Sequence, residues 1–135
     1  MTISYNRLGS NGRLGNQMFQ YASLRGIANY NQYQWMIPPP DYNHKDNYGL
    51  FDTFEMKHCK PENLGFNDGM TITEKTHAFD DGLFYCTDGV NIDAYLQTED
   101  YFVHIADQIH EDFTFKKDYL EPCQEFISSL GSSPI

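Results

Sequence analysis

The stretch Gly12-Arg13-Leu14-Gly15-Asn16-Gln17-Met18-Phe19-Gln20-Tyr21-Ala22 decides the fold, because the hydrophobic period changes across it. Before it, Ile3, Tyr5 and Leu8 recur as one set, the alternation of a strand, until Gly9-Ser10-Asn11-Gly12 interrupts with turn-forming residues. From Leu14 the spacing is helical. Leu14, Met18, Tyr21 and Ala22 stand at i, i+4, i+7 and i+8, while Asn16, Gln20 and Ser23 form a separate polar line. A helix ending near Asn29 or Tyr30 is predicted. Tyr33 to Ile37 then reads as a second strand, stopped by Pro38-Pro39-Pro40. Strand, helix, strand is the βαβ opening of an α/β domain.

Outward from this unit the pattern thins. Asp41 to Gly69 is rich in Asn, Asp, Tyr and Gly and predicts irregular surface chain. Met70–Thr73 and Val90–Leu96 read as a third and a fourth short strand. Thr98 then caps a helix with Glu99 and Asp100 in its first turn, and Phe102, Ile105, Ile109 and Phe113 on one face. A last helix is expected from Pro122, suited to a first helical turn, to Leu130, with Gly131 ending it. Ser132–Ile135 reads as the cut start of a further strand. The 135 residues suit one domain, 1–135, with no repeat or low-complexity segment.

Nine Lys and Arg against nineteen Asp and Glu give a formal net charge of −10, which argues against nucleic acid or an anionic membrane as partner. Hydrophobic residues at 40% and aromatics at 16% argue against a disordered chain. Cys59, Cys86 and Cys123 are far apart and odd in number, fitting a reducing compartment rather than a disulfide framework. No signal-peptide core and no run of about 18 apolar residues occurs, so the expectation is a soluble, cytoplasmic chain, at most peripheral to a membrane.

Chemistry is expected first at the turn between β-strand and helix. Glycines at 9, 12 and 15 allow positive φ and close backbone approach, and a helix amino terminus offers unpaired N–H groups to a polar or anionic ligand. The alternative is a tight turn that needs glycine for its geometry alone. There is neither a Gly-x-Gly-x-x-Gly fingerprint nor a Walker lysine. Asp80, Asp81 and Asp41 are candidate general bases, set against the plainer reading of a solvated acidic face. His44, His58, His77, His104 and His110 include no metal-binding pair, so no metal site is expected. The tyrosines and phenylalanines build either sugar-stacking platforms or core.

The run from Gly12 to Ala22 resembles the amino-terminal signature of the α-1,2-fucosyltransferases, Gly-Gly-Leu-Gly-Asn-Gln-Met/Leu-Phe-Gln-Tyr-Ala, with Arg13 at the second glycine. The protein O-fucosyltransferases carry a similar Gly-Arg-Phe-Gly-Asn-Gln loop. Ala94-Tyr95-Leu96-Gln97-Thr98-Glu99-Asp100-Tyr101-Phe102 is similar to the family's Gly-Tyr-Phe-Gln-Ser-Glu-Lys-Tyr-Phe, and Phe51-Asp52-Thr53-Phe54 more faintly to a loop between them. The resemblance covers nearly all of this chain and about the first half of the family. It implies the Rossmann-like amino-terminal, acceptor-side lobe of a GT-B-type glycosyltransferase. The implied reaction moves L-fucose from GDP-fucose to the 2-hydroxyl of a galactose-type glycan acceptor, with inversion and with neither metal nor other cofactor. Gly12 and Gly15 then shape the loop with Arg13, and Asn16 is the catalytic amide facing the sugar or β-phosphate. Gln17 and Gln20 either bind sugar hydroxyls or are solvated helix residues. The family's His-x-Arg-Arg-x-Asp, whose arginines grip the diphosphate, has no counterpart here. The chain alone is therefore expected to be an incomplete, inactive portion, with a separately encoded donor-binding half as possible partner. The alternatives are a non-catalytic glycan-binding remnant and an unrelated nucleotide-binding α/β domain.

Overall fold

A computed structural model describes residues 1–40, 48–76 and 78–130. Thr2–Ser4 form β1, Leu14–Asn31 α1, Gln34–Met36 β2, Leu50–Thr53 the single turn α2, Thr71–Ile72 β3 and Asn91–Ile92 β4. The four strands make one parallel sheet in the order β2-β1-β4-β3, which establishes the α/β class. Ile3 and Ser4 are neighbours on opposite faces and both are 0% exposed, so β1 is covered on both sides as parallel strands require.

Helix α1 is nearly submerged. Every residue from Tyr21 to Ala28 is buried, together with Gln17 and Gln20. The polar line expected of this helix therefore lies inside the protein at Gln20 and Ser23, where each group needs a partner. Ser23 donates to the Leu96 carbonyl at 3.3 Å. Gly26 packs directly against the Tyr101 backbone carbonyl, leaving no room for a Cβ. The helix runs slightly past the expected end and stops at Gln32, whose left-handed backbone (φ 58) returns its N–H to the Ala28 and Asn29 carbonyls.

Strands β3 and β4 are two residues each, shorter than their sequence alternation predicts. Side chains take over the ladder at their ends. Asn91 Oδ1 accepts the Asn6 N–H at 2.7 Å, and Asn91 Nδ2 donates to Thr71 Oγ1 at 3.1 Å. Beyond Asp93, Leu96 turns into a left-handed conformation with φ 55, which no strand sustains.

The single helix expected after Thr98 is broken into 3-10 turns at Glu99–Tyr101 and Val103–Ile105, followed by α3 at Ala106–Asp112. Thr98 does cap, accepting the Asp100 N–H at 3.3 Å. The break falls where the Tyr101 backbone meets Gly26 and the Tyr101 hydroxyl donates to Glu74 at 2.7 Å. Ile105 and Ile109 are buried as expected, whereas Phe102 and Phe113 are half-buried. The last helix, α4, spans Lys117–Ser129, so Pro122 lies inside it and not at its start. Proline there leaves the Asp118 carbonyl without its helical donor. No residue of α4 is buried. Asp41, His44, His77 and the strand expected at Ser132–Ile135 lie outside the described residues.

One buried charge cluster joins α1 to α3. Asp112, 0% exposed, accepts from Arg25, from the Tyr21 hydroxyl at 2.6 Å and from the His58 N–H at 2.6 Å. The Arg25 guanidinium lies over the rings of Tyr21 and Trp35, 5.8 and 5.4 Å from their centroids. Among the described residues no helix is long and apolar enough to cross a membrane.

Candidate functional site

The carboxyl ends of β1, β3 and β4 open into a polar cleft of about 390 Å³. Open α/β sheets bind ligands at this end. Its walls carry Arg7 and Asn11 from the turn after β1, Glu74 and Thr76 after β3, and Asp93 and Tyr95 after β4. Arg7 and Asp93 form an ion pair at 2.9 Å, with side chains 56% and 23% exposed. The paired carboxylate holds the Arg7 guanidinium above its ordinary pKa, first through the hydrogen bond and then through charge. Asn11 Nδ2 donates to Asp93 Oδ1 and to the Tyr5 hydroxyl, each at 3.0 Å. Tyr5 in turn donates to the Ala94 carbonyl, and burial raises its hydroxyl well above the ordinary tyrosine pKa, so it stays protonated. Glu74 is committed to structure, accepting the Leu96 N–H at 3.2 Å and the Tyr101 hydroxyl.

Next to Asn11 comes the glycine turn. Gly9 (φ 94) and Gly12 (φ 111) have positive φ, and a Cβ on Gly12 would stand 2.6 Å from the Asn16 Cβ. These two glycines are required by the turn itself. Gly15 departs from expectation. It sits in the first turn of α1 with helical φ, and a Cβ there meets none of the described residues within 4 Å.

Gln17 and Gln20 are neither solvated nor open to a ligand from outside, since both are 0% exposed. Gln17 donates to the Gly12 carbonyl at 3.1 Å and accepts the Gly49 N–H at 3.0 Å. Gln20 donates to the Asn11 carbonyl at 2.6 Å. The two amides brace the turn from beneath. Arg13, the residue before the helix, is exposed and supplies no side-chain cap to it. Asn16 is half-buried, and its amide makes no hydrogen bond to another described residue. The six expected site residues thus divide into a brace (Gln17, Gln20), a hinge in the backbone (Gly12) and an accessible set (Arg13, Gly15, Asn16).

The second motif meets the first in space. Ala94 lines the cleft, Ser23 of α1 holds the Leu96 carbonyl, and Phe102 packs edge-on against Phe19 with centroids 6.2 Å apart. Asp80 is held in structure, accepting the Gly82 and Lys75 N–H groups, both at 3.0 Å, and capping a 3-10 turn, while Asp81 is exposed in the first turn it caps. His58 pairs with Glu111 at 3.2 Å, and a His104 ring nitrogen lies 2.9 Å from the Gly26 carbonyl. Among the described residues no group of three or more His, Cys, Asp or Glu is placed to hold a metal ion. Tyr5, Tyr21 and Tyr101 are fully buried core, whereas Tyr30, Tyr85, Tyr95, Tyr119 and Phe126 are exposed.

Sequence reading missed Arg7 and Asp93, which are 86 residues apart and paired only through the β1–β4 neighbourhood. The available signal was position, because Asp93 directly precedes the second motif. No protein-family model, curated protein or solved structure matches this chain.

Proposed function

We propose that this chain is the acceptor-side lobe of a GT-B-type, α-1,2-fucosyltransferase-like enzyme that moves L-fucose from GDP-fucose to the 2-hydroxyl of a galactose-type acceptor. The observation that carries the reading is the turn at Gly12–Gln20. Its buried glutamines hold the backbone through both ends of the Gln17 amide and through Gln20 Nε2, and Asn16 stands half-exposed next to Gly15. Glycine in a helix costs about 1 kcal/mol relative to alanine, and none of the described residues occupies the space it leaves. A ligand pressed against the first turn of α1 fills that space. On this reading Asn16 donates its amide to a sugar or β-phosphate oxygen as charge develops on the departing diphosphate. The cleft beside it, lined by hydroxyl, amide and paired charged groups, suits a polyhydroxylated acceptor.

No His-x-Arg-Arg occurs in the sequence, so on this reading the arginine grip on the diphosphate comes from outside these 135 residues and this lobe contributes the weaker contact at Asn16. That feature, together with Arg7 being neutralised by Asp93, favours as second reading a glycan-binding lobe that works with a separate donor-binding half. A cytoplasmic setting belongs to the same proposal, as all three cysteines are free.

The test is saturation-transfer NMR of the protein with lactose, GDP-fucose, GDP and ADP, repeated on Asn16→Ala. The expected result is binding of lactose and of GDP-fucose in preference to ADP, with GDP-fucose weakened at least about fivefold by the substitution, the scale of one lost hydrogen bond. Lactose binding alone selects the second reading. Binding of ADP and GDP alike, or of none of the four, overturns both.

A further inference from the structure

The cleft at the carboxyl ends of β1, β3 and β4 holds open acceptors and an unpacked aromatic ring. Asp93 gives one carboxylate oxygen to Asn11 and the other to Arg7, which fills two of about four acceptor sites. Asn11 donates both amide hydrogens, to Asp93 and to the Tyr5 hydroxyl, and its Oδ1 accepts from none of the described residues. Tyr95 lines the same cleft, is 53% exposed and packs against no other ring of the described residues. We propose that this cleft takes one neutral pyranose ring of a glycoside, its apolar face laid on Tyr95 and its hydroxyls donated to Asp93 and Asn11. On the acceptor-lobe reading, on which this assignment rests, these are the side chains that select the acceptor.

The chemistry of the lining favours a sugar over other small polar ligands. A sugar hydroxyl both donates and accepts, and here the acceptors of Asp93 and Asn11 stand beside the Arg7 guanidinium as donor. A hydroxyl bonded to a carboxylate belongs to the charge-assisted, stronger class of hydrogen bond. These groups are fixed before a ligand arrives. The Asp93 N–H donates to the Ile72 carbonyl at 2.9 Å, and Asn11 is anchored on the hydroxyl of the fully buried Tyr5, so little ordering is left to be done on binding. The charges of the lining cancel, Arg7 and Lys75 against Glu74 and Asp93, which disfavours a phosphate or a carboxylate. A pyranose carries hydroxyls around its edge and C–H groups on its faces. In a galactose-type ring the axial 4-hydroxyl lies on one face and leaves an apolar patch on the other, the surface that an exposed tyrosine ring covers. The cleft volume of about 390 Å³ lies at the small end of ligand sites, which run from about 300 to 1,000 Å³.

Amide-shift NMR titration of the isotope-labelled chain with lactose, guanosine, inorganic phosphate and GDP-fucose tests this. The expected result is lactose binding that moves the amides of Asn11, Asp93 and Tyr95, while phosphate leaves them unmoved. Tyr95→Ala weakens lactose at least about tenfold, the scale of a lost aromatic platform, and Tyr95→Phe restores it because the ring is kept. Asp93→Asn weakens lactose about fivefold, the scale of one lost hydrogen bond. Tyr95 and Asp93 both reach solvent, so the fold survives these changes, as circular dichroism will verify. Tyr85→Ala, which removes a more exposed tyrosine outside the cleft, leaves lactose binding within about twofold. Lactose binding indifferent to Tyr95→Ala overturns the assignment and leaves the acceptor-lobe reading standing, because the sugar still binds. Guanosine moving these amides in place of lactose gives the cleft to a nucleoside and overturns it, as does phosphate binding there. With neither lactose nor GDP-fucose bound, the assignment and the acceptor-lobe reading fall together.

Discussion

Replacing Asp112 with alanine tests the internal architecture most severely. Its carboxylate is fully buried and is the shared acceptor for Arg25, the Tyr21 hydroxyl and the His58 N–H. Removal leaves the Arg25 charge without a counter-ion in the core, a loss of about 3–5 kcal/mol. The orphaned His58 N–H adds on the order of 1 kcal/mol. Domains of this size have about 5–15 kcal/mol in all, so the variant is expected to be marginal at 25 °C and to melt roughly 10–20 °C lower. Urea unfolding followed by far-ultraviolet circular dichroism reads the change. Asp112→Asn keeps the volume and still strands the charge, so it is expected to lose nearly as much. Arg25→Met combined with Asp112→Asn removes both charges and should cost at least about 2 kcal/mol less than the sum of the single changes. A loss under 1 kcal/mol in Asp112→Ala, or strict additivity in the pair, refutes the view that this cluster clamps α1 to α3.

The two glycines of the turn are expected to behave oppositely. Gly12→Ala forces a side chain into φ 111 and against Asn16, and should destabilise by about 1–3 kcal/mol. Gly15→Ala enters open space in a helix and should stabilise by about 0.5–1 kcal/mol while weakening GDP-fucose binding; thermal unfolding with and without ligand separates the two effects. Alkali is expected to unfold the protein cooperatively. Burial raises the hydroxyls of Tyr5, Tyr21 and Tyr48 above their ordinary range, and burial reinforced by the Asp112 charge pushes the Cys59 thiol up to about 12. The unfolded chain gives up these protons first, the thiol near pH 8.5 and the phenols near pH 10. Stability should thus be full below about pH 8 and fall above it, each group adding about 1.4 kcal/mol per pH unit once its unfolded form has ionised. Urea midpoints that stay flat from pH 7 to pH 11 would contradict this.

The βαβ opening was legible because its signals are local: alternation up to Tyr5, a glycine turn and helical spacing from Leu14. The roles of Gln17 and Gln20 were not. An amide on a helix reads as solvent-facing unless one knows that other elements wrap α1, and Tyr21–Ala28 shows no one-sided pattern because α1 is enclosed on most sides. The long helix after Thr98 was over-read for a related reason. Its apolar spacing is real at Ile105 and Ile109, but close approach of the Tyr101 backbone to Gly26 is a tertiary demand that no local pattern encodes. Pro122 misled through its own statistics, which favour a helix start, whereas Lys117 begins the helix and an exposed α4 tolerates one missing bond. The Arg7–Asp93 pair depends on strand order, and strand order is the quantity that a sequence pattern expresses least.

That strand order also governs the chain's birth on the ribosome. β1 emerges first yet occupies an interior place in the sheet, with Ser4 waiting for Asn91 to complete its second side. At roughly 5–20 residues per second, some 4 to 17 s pass between synthesis of the two partners. Throughout that interval the apolar β1–α1–β2 unit presents an unpaired edge in the crowded cell. Because the first of the described strands is closed by the last of them, this hazard lifts only once Asn91 has been made, and yield in vivo is tied to translation speed and to whatever shields nascent chains.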